Sequence, residues 1–207
     1  MANIFQWVFD QAKKVYNKVR GGSVSHDNVI EWRDDYTSQV ADISTRLAND
    51  LLNGKINVQQ WTLNFREELK TAYINQYRLG RGGTDAMTQA DWGRIGRQLR
   101  DQYQYMNNFA AQIARGDLTA SQIEARMKLY FNSATQMYER GQATSAGLIL
   151  PQYPGDGRTQ CRTNCKCQWN ISEYDDRWDC TWKLNPAEHC PDCIGNSQRW
   201  NPLVIMK

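Results

Sequence analysis

The chain has 207 residues, of which 41% are hydrophobic and 23% are charged, and its formal net charge is +3. This length suffices for one or two domains with cores of their own. The small charge does not by itself indicate nucleic-acid binding, and the apolar runs are far shorter than the roughly 20 residues of a membrane-spanning helix. We therefore expect neither a transmembrane segment nor a membrane partner.

The first residues, MANIFQWVFDQAKK, place acid and amide side chains within an apolar pattern. They lack the basic start and the small-residue cleavage site of a secretory signal, so we expect the chain to be made and folded in a cytoplasm. Helical spacing predicts a first helix over 3–19, which ends at Gly21 and Gly22. Its apolar positions are Phe5, Val8, Phe9, Ala12 and Tyr16.

The same periodicity predicts further helices over 27–52, 57–79, 88–115 and 119–142, with glycine-rich breaks at 80–83 and at Gly116. Three of the starts resemble capping boxes, in which a cap side chain and the residue three positions later satisfy each other's exposed amides. The pairs are Asn57 with Gln60, Thr88 with Asp91, and Thr119 with Gln122. We interpret residues 1–150 as a helical arm or bundle.

Beyond residue 141 the composition changes, because Pro151, Pro154, Gly155 and Gly157 favour turns. This change predicts a domain boundary near residue 150 and a separate C-terminal domain over 151–207. Within that domain, CKCQWNI and WDCTWKL alternate polar and apolar residues on either side of EYDDR. The pattern predicts a β-hairpin.

All six cysteines follow residue 160, one group before the predicted hairpin and one after it. In a chain without an export signal, clustered cysteines are more often metal ligands than disulfides. Cys190 and Cys193 have the two-residue gap that directs two sulfurs at one zinc ion. From the first group we predict Cys161 and Cys165 as ligands, with Cys167 as the next candidate. Zinc bound by thiolates alone is structural, and its binding free energy stabilises a small domain.

The predicted fold class is therefore mainly α, an extended multi-helix region followed by a small zinc-stabilised β-hairpin domain. The alternative to zinc is a pair of disulfides or inert buried thiols. Cys180 is expected to pack under the hairpin as a small hydrophobe, and His189 to be a turn residue beside a ligand. No HExxH, deaminase HxE or Ser/His/Asp pattern accompanies the cysteines, so we do not expect an enzyme.

Two cysteine segments, TNCKC at 163–167 and CPDCIGNSQRWNPL at 190–203, resemble two pieces of the phage Mu F-like head-morphogenesis family, the minor head or minor capsid proteins. The order of the two pieces is reversed here. The helical stretch RMKLYFNSATQMYERGQAT ahead of them also resembles phage structural proteins.

The resemblance implies a virion component that is made in the host cytoplasm and built into the phage head near the portal. Its expected partners are phage capsid or portal proteins, or packaged DNA, and it would be oligomeric within the virion. The ligands carried over from the family pattern are Cys165, Cys190 and Cys193.

Two other functions remain open at this point. A nucleic-acid-binding zinc module would use Trp169, Trp178 or Trp182 to stack on bases, and would contact phosphates through basic residues. A zinc hydrolase or nuclease would need a general base, for which Glu188 beside His189 is the only nearby candidate. The basic residues of the nucleic-acid hypothesis are Arg158, Arg162, Lys166, Arg177 and Lys183.

The segment 101–113, DQYQYMNNFAAQI, is rich in aromatic residues that suit a protein interface. Tyr105 and Phe109 are four residues apart and share one face of the predicted helix. Tyr103 is rotated by about 200° from Tyr105, at roughly 100° per residue. We therefore expect Tyr103 to be the aromatic residue that contacts a partner.

Overall fold

The computed structural model describes residues 7–10, 15–18, 23–184 and 189–207. Its elements follow one another along the chain as short strands, long helices and a second small sheet. They are β1 (Trp7–Asp10), β2 (Val15–Lys18), β3 (Ser23–Ser25), α1 (His26–Leu52), α2 (Val58–Arg81), α3 (Gln89–Ala114), α4 (Ala120–Asn132), α5 (Thr135–Ser145), β4 (Gln168–Glu173), β5 (Arg177–Lys183), α6 (Pro191–Arg199) and β6 (Leu203–Met206). The expected fold class is confirmed, since the chain is mainly helical with a small C-terminal antiparallel sheet.

The predicted first helix is wrong wherever the structure describes it. The strands β1, β2 and β3 form an antiparallel sheet in that order, with Phe9 opposite Tyr16 and Tyr16 opposite Val24. Aromatic and β-branched residues favour strands, and a short apolar run fits both the helical and the strand period. The remainder of the predicted range and its stop at Gly21 and Gly22 lie outside the described residues.

The helix starts after residue 50 follow the predicted caps. Asn57 accepts a hydrogen bond from the Gln60 backbone N–H at 2.8 Å, while the Gln60 side chain donates to Asn64 rather than closing the predicted box. Full capping boxes form at Thr88 and at Thr119. Local hydrogen bonding of this kind depends on residues three positions apart, which explains why the starts of α2, α3 and α4 were predictable.

The predicted helix over 119–142 is broken into α4 and α5 at residues 133–134. The Ser133 hydroxyl donates to the backbone carbonyl of Tyr130 and is hydrogen-bonded to the Tyr73 hydroxyl at 2.6 Å. The Thr135 hydroxyl donates to the carbonyl of Asn132 at 2.7 Å. Hydroxyl groups that bond to nearby carbonyls compete with the helical hydrogen bonds, and the break redirects α5 along α2.

The helices α2 and α5 touch through their backbones at Gly80 and Gly141. A Cβ on Gly80 would overlap the carbonyl oxygen of Tyr138, and one on Gly141 would overlap the carbonyl oxygen of Tyr77. Gly80 therefore lies inside α2 as a contact residue and not in the predicted break, which begins at Gly82 in the left-handed conformation. Neither position can carry a side chain without separating the two helices.

An aromatic core joins α1, α2, α3 and α4. The rings of Trp61 and Phe65 are 5.1 Å apart, Phe109 meets Trp61 edge-on at 5.5 Å, and Tyr130 stacks on Phe109 at 5.9 Å. All are buried. None of the helices in the described part of the chain is long and apolar enough to cross a membrane.

The C-terminal sheet has the order β4, β5, β6, all antiparallel. Its first two strands are the predicted hairpin, with Trp169 opposite Trp182, and β6 adds a third strand that was not predicted. The ring centroid of Trp200 lies 5.3 Å from that of Trp169 and 5.7 Å from that of Trp182. Leu148 and Leu150 belong to the same buried cluster, so the boundary near residue 150 stays a prediction.

Glu139 links α5 to this C-terminal unit. Its Oε2 accepts a hydrogen bond from the Trp169 backbone N–H at 3.1 Å, and its Oε1 lies 3.6 Å from Nη1 of Arg33. Burial raises the pKa of Glu139 to about 7, although the Arg33 charge and the Trp169 N–H oppose this shift. The carboxyl is thus a buried group at the junction of α1, α5 and β4.

We predict that Gly80→Ala and Gly141→Ala each lower the free energy of unfolding by about 3 kcal/mol, since overpacking of a rigid backbone contact cannot relax. Gly96→Ala is the matched control, because a Cβ added to Gly96 in α3 would meet no atom within 4 Å. That variant should be stabilised by about 0.5–1 kcal/mol. Urea unfolding measures all three, and equal effects at Gly80 and Gly96 would contradict the contact.

We also predict a pH-dependent gap in stability between Glu139→Gln and the wild type. The folded pKa of about 7 exceeds the ordinary 4.5, so the stabilising contribution of protonation is fully present below pH 4.5 and is lost as the pH rises through 7. Glutamine keeps an acceptor for Trp169 without titrating. The unfolding free energy of the variant should therefore rise relative to wild type between pH 4.5 and 7.

Urea titrations at several pH values measure this gap. Glu67→Gln is the control, because Glu67 is exposed on α2 and its neutralisation removes no buried charge. A gap at Glu139 that does not change with pH would show that the carboxyl does not titrate in this range.

Candidate metal centre

Four cysteines meet where a short turn approaches the start of α6. Cys161 and Cys165 flank the 3₁₀ turn Arg162–Asn164, and Cys190 is the N-cap of α6 with Cys193 in its first turn. Pro191 suits the first helical position, because its fixed φ is already helical and its missing N–H would have no intrahelical partner. The CPDC segment thereby directs two sulfurs toward the turn.

The sulfur atoms lie at distances that suit one tetrahedral ion. Cys193 Sγ is 3.5 Å from Cys165 Sγ and 3.6 Å from Cys161 Sγ. Cys190 Sγ is also 3.6 Å from Cys161 Sγ. With metal–sulfur bonds of about 2.3 Å, the edge of a tetrahedral thiolate site is about 3.8 Å, close to these values. The cluster of Cys161, Cys165 and Cys193, with Cys190 beside it, could hold a metal ion.

The disulfide alternative does not describe this cluster. All six cysteines are free, and the sulfur separations of 3.5 and 3.6 Å are far longer than the roughly 2.05 Å of a disulfide bond. Sulfurs this close without a bond to one another could serve as ligands to one ion.

Backbone N–H groups point at two of the sulfurs. Burial would raise the pKa of Cys190, but the N–H groups of Cys193 and Cys161 donate to its sulfur and bring the pKa below its ordinary value. The pKa of Cys165 is raised, first by the neighbouring Cys167 thiol and then by burial, although the Cys167 N–H opposes this. Burial raises the pKa of Cys161 to about 11. A cation among the sulfurs would reverse the two upward shifts, because it stabilises the thiolates.

The remaining predicted residues separate into two groups. Cys167 is buried next to Cys165, so it belongs to the edge of the cluster. Cys180 is fully buried in β5 opposite Ile171 and Leu203, as expected for a small hydrophobe. His189 is partly exposed and is not grouped with the sulfurs in the part of the chain that the structure describes. Glu188 lies outside the described residues.

Two supporting residues were missed in the sequence. Asp192 accepts a hydrogen bond from the Gln160 backbone N–H at 2.8 Å and so joins the start of α6 to the first cysteine segment. The Thr159 hydroxyl lies 3.1 Å from Cys161 Sγ. The acidic residue inside CPDC, at the first turn of a helix, was the available signal for Asp192. Such contacts orient ligands in metal sites.

The tryptophans of the nucleic-acid hypothesis are not available for stacking. Trp169, Trp178 and Trp182 are all buried, and their rings pack in the C-terminal core or against Lys207. Base stacking requires an exposed aromatic face. The alternating tryptophans therefore form the core of the sheet.

The expected partner residue on α3 is also corrected. Tyr103 is partly buried against α2, with the Arg66 guanidinium 5.3 Å from its ring centroid, whereas Tyr105 is 61% exposed. Phe109 is buried, as expected. The buried face of α3 is defined by contact with α2, which the spacing of three aromatic residues does not reveal.

Comparison with known proteins gives no match to any family model, curated protein or solved structure. The resemblance at TNCKC and CPDCIGNSQRWNPL therefore rests on the sequence alone.

Proposed function

We propose that the chain is a non-enzymatic structural protein of a phage head, in which one zinc ion holds the C-terminal unit together. The observation that carries the proposal is the cluster of Cys161, Cys165, Cys190 and Cys193, with neighbouring sulfurs 3.5 to 3.6 Å apart. The segments that resemble the Mu F-like minor head proteins contribute three of these cysteines. A thiolate cluster of this kind supports a structural metal centre.

Zinc is the metal that best suits the ligands. Thiolates are soft donors that favour zinc, copper(I) and iron–sulfur clusters over magnesium or calcium. Around a zinc ion, the four sulfurs from these two short segments would form a single tetrahedron, which is the usual geometry of structural zinc. Cys167 is the fifth thiol nearby, and we assign it to the support of Cys165 because its N–H and thiol face that sulfur.

The zinc would connect two parts of the chain that are otherwise joined through the sheet. Cys161 and Cys165 precede β4, while Cys190 and Cys193 follow β5. Trp169, Trp182 and Trp200 belong to the adjoining core. The free energy of metal binding would then stabilise the unit, because the ligands are assembled only in the folded state.

A structural role is preferred to catalysis for a chemical reason. A catalytic zinc keeps one position open for water and is usually bound by three nitrogen, oxygen or sulfur ligands. Four sulfur ligands would fill the tetrahedron of the proposed zinc and leave no position for substrate. We therefore infer that the chain acts by docking to capsid or portal proteins. An exposed aromatic residue such as Tyr105 on α3 suits such a contact.

We predict about one zinc per chain in protein purified under reducing conditions, measured by elemental analysis. Cys193→Ala should lose the metal and unfold the C-terminal unit, with most of the helical circular dichroism signal retained. Cys180→Ala is the matched control, because Cys180 is equally buried but lies in β5 away from the cluster. Cys167→Ala should retain the zinc.

Metal-free wild-type protein, or zinc retained in Cys193→Ala, would rule out the proposed centre. Zinc lost from both Cys193→Ala and Cys167→Ala would change the ligand assignment to include Cys167.

We also predict that the chain is present in purified particles of the phage that encodes it, as measured by mass spectrometry. In complemented infections, Cys193→Ala should enter particles poorly, because its C-terminal unit is unfolded, while Cys180→Ala should enter them normally. A wild-type chain that is absent from particles would overturn the virion proposal, and it would leave the zinc measurement unaffected.

A further inference from the structure

A cleft of about 540 Å³ lies between α3, α5 and the segment 147–158. Four arginines line it, and none of the described residues in its lining is acidic. They are Arg94 and Arg97 from α3, Arg140 from α5, and Arg158 from the segment that leads to the thiol cluster. The volume is in the range of small-ligand sites.

The positive charge of the cleft is only partly balanced. Arg94 lies 2.8 Å from Asp91, but Asp91 is shared with Arg81 at 3.2 Å. Arg158 lies 3.7 Å from Asp156. Two carboxylates thus face five guanidinium groups, counting Arg81, and the local balance is positive.

Arg97 is the free cation of the group. Its side chain is exposed, and no hydrogen bond or ion pair holds it within the described part of the chain. Its neighbour on the next turn of α3, Arg100, lines a different groove on the α2 side. Arg97 and Arg100 are both exposed arginines on α3, but only Arg97 lines the cleft.

The other guanidinium groups are held in place. Arg140 lies over the ring of Tyr153 at 4.4 Å, and its Nε donates to Gln136 at 3.1 Å. Arg158 donates through Nη1 to the carbonyl of Pro151 at 2.9 Å. Burial lowers the pKa of Arg140, and the positive charge of Arg158 contributes in the same direction. Fixed like charges in a concave site repel one another, and a bound anion relieves that repulsion.

We propose that this cleft binds phosphate groups, from a nucleoside triphosphate or from a nucleic-acid backbone. A guanidinium group donates parallel hydrogen bonds to two oxygens of a phosphate group. Several guanidinium groups around one cleft can therefore bind more oxygens than a single carboxylate offers. The lining also includes apolar residues, among them Leu148, Ile149 and Pro151, which can contact the sugar or base. This proposal is independent of the virion function, because it rests on the arginines alone.

The test uses the full-length chain with two probes, adenosine triphosphate and a single-stranded oligodeoxynucleotide, in isothermal titration calorimetry. Arg97→Glu should weaken binding by about tenfold or more, as expected for loss of a charge-assisted hydrogen bond and addition of a repulsive charge. Arg100→Glu, the matched control, carries the same charge change outside the cleft and should bind within about twofold of wild type. Wild-type binding should weaken as salt is raised.

Each outcome decides the proposal. Binding of the nucleotide alone, or of the oligonucleotide alone, supports a phosphate site and identifies its source, provided that Arg97→Glu weakens it. Absence of binding by both probes at low salt, or equal weakening by Arg97→Glu and Arg100→Glu, overturns it. Arg97→Gln, which removes the charge without reversing it, replaces Arg97→Glu if circular dichroism shows that the latter is unfolded.

Discussion

The backbone contact between α2 and α5 positions the residues of α5 that reach the C-terminal sheet and the arginine cleft. It exists because Gly80 and Gly141 have no side chains, so the two helices can approach until a carbonyl of each occupies the space of the other's missing Cβ. Two residues of α5 next to this contact then face in different directions. Glu139 reaches the Trp169 N–H and so anchors the C-terminal sheet, while Arg140 enters the arginine cleft. A shift of α5 along α2 would displace both.

The thiol cluster of Cys161, Cys165, Cys190 and Cys193 depends on the sheet that lies between its two cysteine segments. Its sulfurs come from two segments about 30 residues apart, and the sheet between them supplies the geometry. Trp169 and Trp182 pair across the hairpin, Trp200 covers them, and the Asp192 contact with Gln160 brings the start of α6 to the first cysteine turn. A metal bound by these sulfurs would cross-link the two segments on either side of the hairpin, which is the role of a structural centre.

The segment 147–158 belongs to both candidate sites. Its Leu148 and Leu150 pack into the C-terminal core, and its Arg158 lines the cleft only three residues before Cys161. The Tyr153 N–H donates to Asp156, and the Arg158 N–H donates to the same carboxylate, so the turn is closed by its own side chain. A metal at Cys161 would therefore also restrain the position of Arg158. The two surfaces are physically coupled through one short, proline-bounded turn.

The sequence by itself determined the features that depend on neighbours in the chain. These are the starts of α2, α3 and α4 at their caps, the tryptophan-rich hairpin, and a cysteine group with zinc-like spacing. Only the tertiary structure decided the strands at 7–10 and 15–18, the break between α4 and α5, the role of Gly80 and the convergence of Arg94, Arg97, Arg140 and Arg158. The physical reason is the separation along the chain between the residues that interact. A cap or a CxxC turn is satisfied within three or four residues, whereas strand pairing, helix contact and a cleft require atoms that are distant in the chain.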